Sequence, residues 1–154
     1  MTVFRCTLLK WSKDLSGQGA YLHGGRWNSP GLAMIYTAEN NVLAAFEVAL
    51  RIPFEHISRE YVMLPIEVPQ KEIHQPVLPK NWYKDLKLTR SLGDAFLRGG
   101  EHLLMKVPSA LISDSFNYLI NPAHPDIKHV KVHPPRPILF DKRLLALIPS
   151  KTAG

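Results

Sequence analysis

The chain has 154 residues, 45% of them apolar, with a formal net charge of +6 and a pI near 9.6. This length and composition favour a single domain, 1–154, with one core, and exclude an intrinsically disordered chain. A lone cysteine, Cys6, excludes an internal disulfide framework and a cysteine-rich zinc site.

Residues 2–9, TVFRCTLL, carry β-branched and aromatic residues with polar interruptions and predict a first strand. Arg5 and Lys10 break the apolar run of this opening, which lacks the basic, apolar and small-residue order of a signal peptide. No uncharged apolar run approaches the roughly 18 residues of a bilayer span, so a cytoplasmic protein without a membrane partner is expected. GAYLHGGRWN, residues 19–28, reads as a loop, and LAMIYTA, residues 32–38, as a strand. NNVLAAFEVALRI, residues 40–52, predicts the best helix, capped by Asn40 or Asn41 and stopped by Pro53. EYVMLPIEV, residues 60–68, predicts a strand in which Pro65 marks an edge or a bulge. TRSLGDAFLRGG, residues 89–100, predicts a short helix closed by Gly99 and Gly100. HLLMKV and FNYLIN predict strands around the turn-like PSALISDS, and the tail VKVHPPRPILFDKRLL supplies a further strand and a last turn. Thirteen prolines, concentrated in the second half, cut the chain into short pieces and disfavour a helical bundle. The fold class expected is α+β, compact and mostly antiparallel, with few short helices.

Five residues stand out for chemistry. Helical spacing places Glu47 near an apolar stripe of Leu43, Phe46 and Leu50. A carboxylate there is either paired for function or sits at a helix edge and reaches water. Arg26 follows Gly24 and Gly25, which permit close backbone approach, and its guanidinium suits phosphate oxygens. A glycine turn with a surface arginine is the plainer alternative. Arg5 shares a strand face with Val3 and Thr7, facing either a pocket or an open edge. Tyr36 is either a core tyrosine or a ring that stacks on a planar heterocycle. Ser109 follows Pro108 at a strand end, without the G-x-S-x-G of a nucleophile elbow. GQGAYL is not a dinucleotide fingerprint, and no Walker lysine–serine pair follows, so no retained redox cofactor is expected. His124, His129 and His133 lie in a proline-broken segment without H-E-x-x-H spacing, so no metal is expected. The lysines and arginines are scattered, so direct nucleic-acid binding is not expected; a polyanionic small molecule or an acidic protein explains the charge equally well.

Taken in order, GGRWN, IYTAENNVLAAFEVAL, SLGDAFL, VPSAL and NYLINPAHP resemble the RES domain, over nearly the whole chain to about residue 140. The arginine, glutamate and serine that give that family its name fall on Arg26, Glu47 and Ser109. The resemblance implies a split-sheet fold like that of ADP-ribosyltransferase toxins. It further implies a toxin of a bacterial toxin–antitoxin pair that takes NAD as substrate and retains no cofactor. NAD is consumed by hydrolysis or phosphorolysis in some members and by ADP-ribosylation of a protein in others. The partner implied is an antitoxin with an Xre-like helix-turn-helix domain. The resemblance places Arg5 and Tyr36 in the pocket beside Arg26, Glu47 and Ser109, with Asn121 of the last motif as a further binding residue. On this basis Arg26 and Arg5 are expected to hold phosphates or ribose oxygens, Tyr36 to pack on nicotinamide, and Glu47 to favour a cationic transition state. Ser109 is expected to orient Glu47 or the ribose, while Tyr21 and Trp27 shield the site from water. One departure is Phe96, where the family pattern GDAWL has tryptophan. Another is ISDSFNYL, in place of a more charged segment.

Overall fold

The computed structural model describes residues 1–147, apart from the side chains of residues 54, 55, 58 and 145. Residues 148–154 of the expected domain lie outside the described residues. The strands are β1 (Thr2–Leu8), β2 (Ile35–Ala38), β3 (Tyr61–Glu67), β4 (Leu104–Pro108), β5 (Phe116–Ile120), β6 (Lys131–Val132) and β7 (Arg136–Pro137). The helices are α1 (Gln18–His23), α2 (Asn41–Ala49), α3 (Phe54–Glu60), α4 (Leu86–Gly99) and α5 (Lys142–Leu147). All strand pairs are antiparallel, in the order β4-β5-β2-β1-β3-β6, with β7 also on β3. The α+β, mostly antiparallel class expected from the sequence is the one observed.

The joint between β1 and β2 is the feature that positions the site. β1 pairs with β3 along its whole length, from Thr2↔Glu67 to Leu8↔Tyr61. With β2 it pairs only at Phe4↔Ala38. Beyond that point the two strands part, so the sheet is split between its halves, and residues 5–8 of β1 face an opening together with Met34, just before β2, and Tyr36 and Thr37 of β2.

One sheet face carries a cluster of Val3, Ile35, Leu64, Ile66, Leu104 and Ile120. The other is covered in two places. α2 brings Leu43, Ala44, Ala45 and Ala49 onto Cys6, Ala38 and Met63. α4 brings Phe96 and Leu97 onto Trp27, Met105, Val107 and Leu119. Phe96, where a tryptophan was expected, is buried and stacks on His74 with ring centroids 6.2 Å apart.

Several elements differ from expectation for local reasons. The glycine-rich stretch contains α1, bounded by Gly17 and Gly24, which both have positive φ. α2 is capped by the Asn40 side chain, which accepts from Leu43 N at 2.8 Å, but it ends at Ala49, and Pro53 opens α3 instead of merely stopping α2. α4 starts three residues early because Asp85 caps it, accepting from Leu88 N at 2.9 Å. The strand expected at 32–38 is formed only over Ile35–Ala38. Pro65 is not on a free edge, but the pairing beside it slips by one residue, from Ile66↔Val132 to Met63↔Arg136, so a bulge-type irregularity does fall opposite it. The Pro65 carbonyl accepts from His133 N at 3.0 Å, between the β6 pairing at Ile66 and the β7 pairing at Met63. The ring nitrogen, which has no hydrogen to donate, thus faces the break between two short strands.

Candidate active site

A cleft of about 890 Å³ occupies the opening between β1 and β2, within the roughly 300–1,000 Å³ usual for small-molecule sites. Arg5, Arg26, Tyr36 and Glu47 all line it, together with Arg51 and Asn117. Ser109 stands just behind, buried and in contact with Glu47.

The wall formed by residues 24–28 is a tight turn in which Gly25 N donates to Asn28 O at 3.0 Å. Gly24 has φ 68 and ψ 175, a backbone state open to glycine and strained for other residues. A β-carbon at Gly25 would run into the Tyr36 hydroxyl and ring. Asn28, fully buried, organises the turn from inside: its Nδ2 donates to Ala20 O and Leu32 O, both at 2.9 Å, and its Oδ1 accepts from the Tyr36 hydroxyl at 2.7 Å. α4 grips the same turn from outside. Thr89 Oγ1 donates to Arg26 O at 2.6 Å, Arg90 Nε to Gly25 O at 2.9 Å, and Asp94 accepts from Ser29 N and Oγ. The Arg26 guanidinium is steadied in turn: Nη1 donates to Tyr83 O at 2.9 Å, and the group lies 6.0 Å from the Trp82 ring centroid.

Glu47 enters from the last turn of α2. The expected stripe of Leu43, Phe46 and Leu50 does not form the buried face, because Phe46 and Leu50 are exposed. The small side chains of Ala44, Ala45 and Ala49 form it with Leu43, which lets the helix approach the sheet closely. Glu47 lies on that inner side and does not end in bulk water. Its Oε1 accepts from Asn117 Nδ2 at 2.8 Å and from Ser109 Oγ at 3.4 Å. Ser109 Oγ itself accepts from Leu111 N at 3.0 Å, which directs the hydroxyl proton towards the carboxylate.

Arg5 shares its strand face with Val3, as alternation requires, and borders the cleft where the strands part. Its Nη1 donates to Asp14 O at 2.7 Å. Burial lowers the Arg5 pKa, and the nearby Asp14 charge opposes that shift. Asp14 itself is held below the usual carboxylate range, chiefly by its hydrogen bond with Ser16.

Tyr36 presents its ring to the cleft, but its hydroxyl is committed to the turn, donating to Asn28 and accepting from Trp27 N at 3.0 Å. Burial pushes this phenol up to about 12 and the Cys6 thiol likewise up to about 12. In the unfolded chain these protons leave near 10 and 9. Their contribution to stability is therefore complete below about pH 9 and is lost as pH rises towards 12. Denaturant midpoints are expected to fall steadily between about pH 9 and pH 12; an unchanged midpoint would contradict the burial of both groups.

Two expectations require correction. Asn121 stands outside the cleft, at the far end of β5, where its Nδ2 donates to Leu97 O at 3.3 Å and its Oδ1 accepts from Ala123 N at 3.0 Å. It shapes the turn that follows β5. Of the pair expected to shield the site, Trp27 lines the cleft from the core, 2% exposed, whereas Tyr21 is exposed and absent from the cleft wall. Asn117, four residues before Asn121, is the cleft residue of that motif; its signal in the sequence was a polar side chain in an apolar strand. Of the three histidines, His124 Nδ1 and His129 Nδ1 both approach Asp126, at 3.9 and 3.3 Å, while His133 Nε2 approaches Glu67 at 3.3 Å. No helix among the described residues is long and apolar enough to cross a membrane.

The RES domain family model matches residues 2–141. The chain belongs to the RES domain family. Among curated relatives, the Prs ADP-ribosylating toxin of Sphingobium sp. strain YBL2 is 34% identical over 140 residues, covering 86% of this chain and 87% of that protein. A Toxin Res of Pseudomonas putida is 37% identical over 123 residues, covering 77% and 85%. A Toxin Res of Yersinia enterocolitica is 31% identical over 151 residues, covering 94% and 99%. In this RES domain Arg26, Glu47 and Ser109 are thus brought to one cleft, two on its wall and the third directly behind the glutamate.

Proposed function

We propose that the protein is a toxin that cleaves NAD at the bond between nicotinamide and ribose, with water or phosphate as acceptor. The observation that carries this reading is that one cleft is lined by a buttressed carboxylate, Glu47, and by arginines from two different segments, Arg5 of β1 and Arg26 of the glycine turn. Bond cleavage sends the electron pair to nicotinamide, which leaves neutral, while positive charge grows on the ribose. A fixed carboxylate favours that charge, as in glycoside cleavage. The guanidinium groups hold the pyrophosphate, and the Tyr36 ring packs on nicotinamide. The acceptor oxygen then bonds to the ribose carbon and gives up its proton to Glu47 or solvent. Ser109 steadies Glu47 in this scheme.

A second reading, mono-ADP-ribosylation of a cellular protein, keeps the same bond cleavage and changes only the acceptor. It is supported by the name of the Sphingobium relative. NAD labelled in its adenylate half separates the two in cell extract. Labelled ADP-ribose or its phosphate ester is expected; a labelled protein band supports transfer, and intact NAD overturns both readings. A toxin of this kind requires restraint. The partner proposed is an antitoxin with an Xre-like helix-turn-helix domain that covers the cleft, which co-purification from a co-expressed gene pair tests.

Arg26→Lys keeps the charge and loses the planar fork and its stacking on Trp82. NAD turnover is expected to fall by about tenfold or more, on the scale of one lost charge-assisted hydrogen bond. Unchanged turnover would assign Arg26 a purely structural role.

A further inference from the structure

We infer that Asn117 is the positioning residue for Glu47, an inference that rests on the NAD-cleaving reading of the cleft. Asn117 lies on β5, which is paired on both sides, with Ala38 of β2 and Val107 of β4 opposite it. Its backbone is therefore fixed by two ladders, whereas Glu47 sits near the end of a short helix. Of the two donors to Glu47 Oε1, Asn117 Nδ2 at 2.8 Å is much closer than Ser109 Oγ at 3.4 Å. The rigid sheet thus sets the carboxylate's place mainly through Asn117.

The other half of the amide marks the same role. Asn117 Oδ1 is buried without a hydrogen-bond partner among the described residues. A purely structural asparagine is rarely left so. Rotation of the amide offers no relief, because it would set the carbonyl oxygen against the Glu47 carboxylate. The orientation is dictated by Glu47, which leaves Oδ1 buried and unpaired among the described residues as the cost of aiming Nδ2 at the carboxylate.

The test compares wild type with Asn117→Asp and Asn117→Ser. Aspartate puts a second carboxyl where the donor stood, and two carboxylates this close do not both ionise near neutrality. The other ionisable groups facing the cleft are Arg5 and Cys6 of β1, Tyr36 of β2, Tyr61 of β3, His23 of α1, and Asp14, Arg26 and Arg51 of the loops. Wild type carries every one of these, so the comparison isolates residue 117. For Asn117→Asp the acid limb of the NAD-cleavage profile is expected to move up by about one pH unit or more. The Glu47 carboxyl titration, followed by 13C NMR, is expected to move with it. Asn117→Ser is expected to lower kcat about tenfold with KM for NAD changed less than about threefold, the pattern of a lost transition-state contact. If Asn117→Asp does not fold, the kcat and KM of Asn117→Ser decide. Wild-type kcat in Asn117→Ser, or an unmoved Glu47 titration in folded Asn117→Asp, overturns the inference. Absence of nicotinamide release from wild type overturns the NAD reading instead, and the NMR titration still reads the positioning.

Discussion

Glu47→Gln is expected to lower nicotinamide release by about a hundredfold or more with the fold intact. The substitution preserves size, and a glutamine Oε1 still accepts from Asn117 Nδ2 and Ser109 Oγ, which both reach Glu47 Oε1 now. What is lost is the negative charge facing the ribose as it becomes cationic. Inside a cleft walled by protein that charge acts through a lower effective dielectric than in water, so its removal is felt strongly. NAD binding is expected to change little, because in the proposed scheme the phosphates are held by Arg5 and Arg26. The effect should therefore appear in kcat, with the thermal unfolding midpoint close to wild type. A folded Glu47→Gln protein that consumes NAD at near-normal rate would remove Glu47 from the chemistry.

Gly93→Ala is expected to destabilise the fold by about 3 kcal/mol, the upper part of the usual range for overpacking. A β-carbon there would overlap the backbone carbonyl of Trp27, and a backbone group has no rotamer by which to move away. α4 would have to lift from the turn. That movement breaks the Thr89 bond to Arg26 O and the Arg90 bond to Gly25 O, so NAD turnover is expected to fall as well. Gly99→Ala, on the same helix, meets nothing within 4 Å and serves as the control, with stability at or slightly above wild type. Equal denaturant midpoints for Gly93→Ala and wild type would contradict the close packing of α4 on Trp27.

Patterns of alternation and capping carried much of the fold. β1, β3 and β5 and the body of α2 follow from runs whose periodicity, propensity or caps agree with their packing. α1 and α3 did not stand out, because each is short and draws its definition from neighbours: α1 from two positive-φ glycines, α3 from a proline that can stop one helix or start another. The parting of β1 from β2 depends on a pairing between segments some thirty residues apart and has no local signature.

The site was legible in part. Glu47 drew attention as a carboxylate near an apolar helix face, although the face proved to be alanines and Leu43 instead of Phe46 and Leu50. Spacing alone left Arg26, Tyr36 and Ser109 ambiguous; their motif order through the chain resolved the ambiguity. Asn121 and Asn117 illustrate the limit. Both are asparagines in NYLIN, and only the strand end and the turn after it decide which one reaches the cleft. The grip of Thr89, Arg90 and Asn28 on the glycine turn is a product of tertiary packing, visible only once α4 is in place.

The most direct measurement is nicotinamide release from NAD by the purified, antitoxin-free protein, followed to many molecules of nicotinamide per protein, with and without phosphate. Sustained release that disappears in Glu47→Gln is the expected result. Intact NAD after prolonged incubation with folded wild-type protein, with and without phosphate and cell extract, would contradict the assignment of this cleft to NAD cleavage.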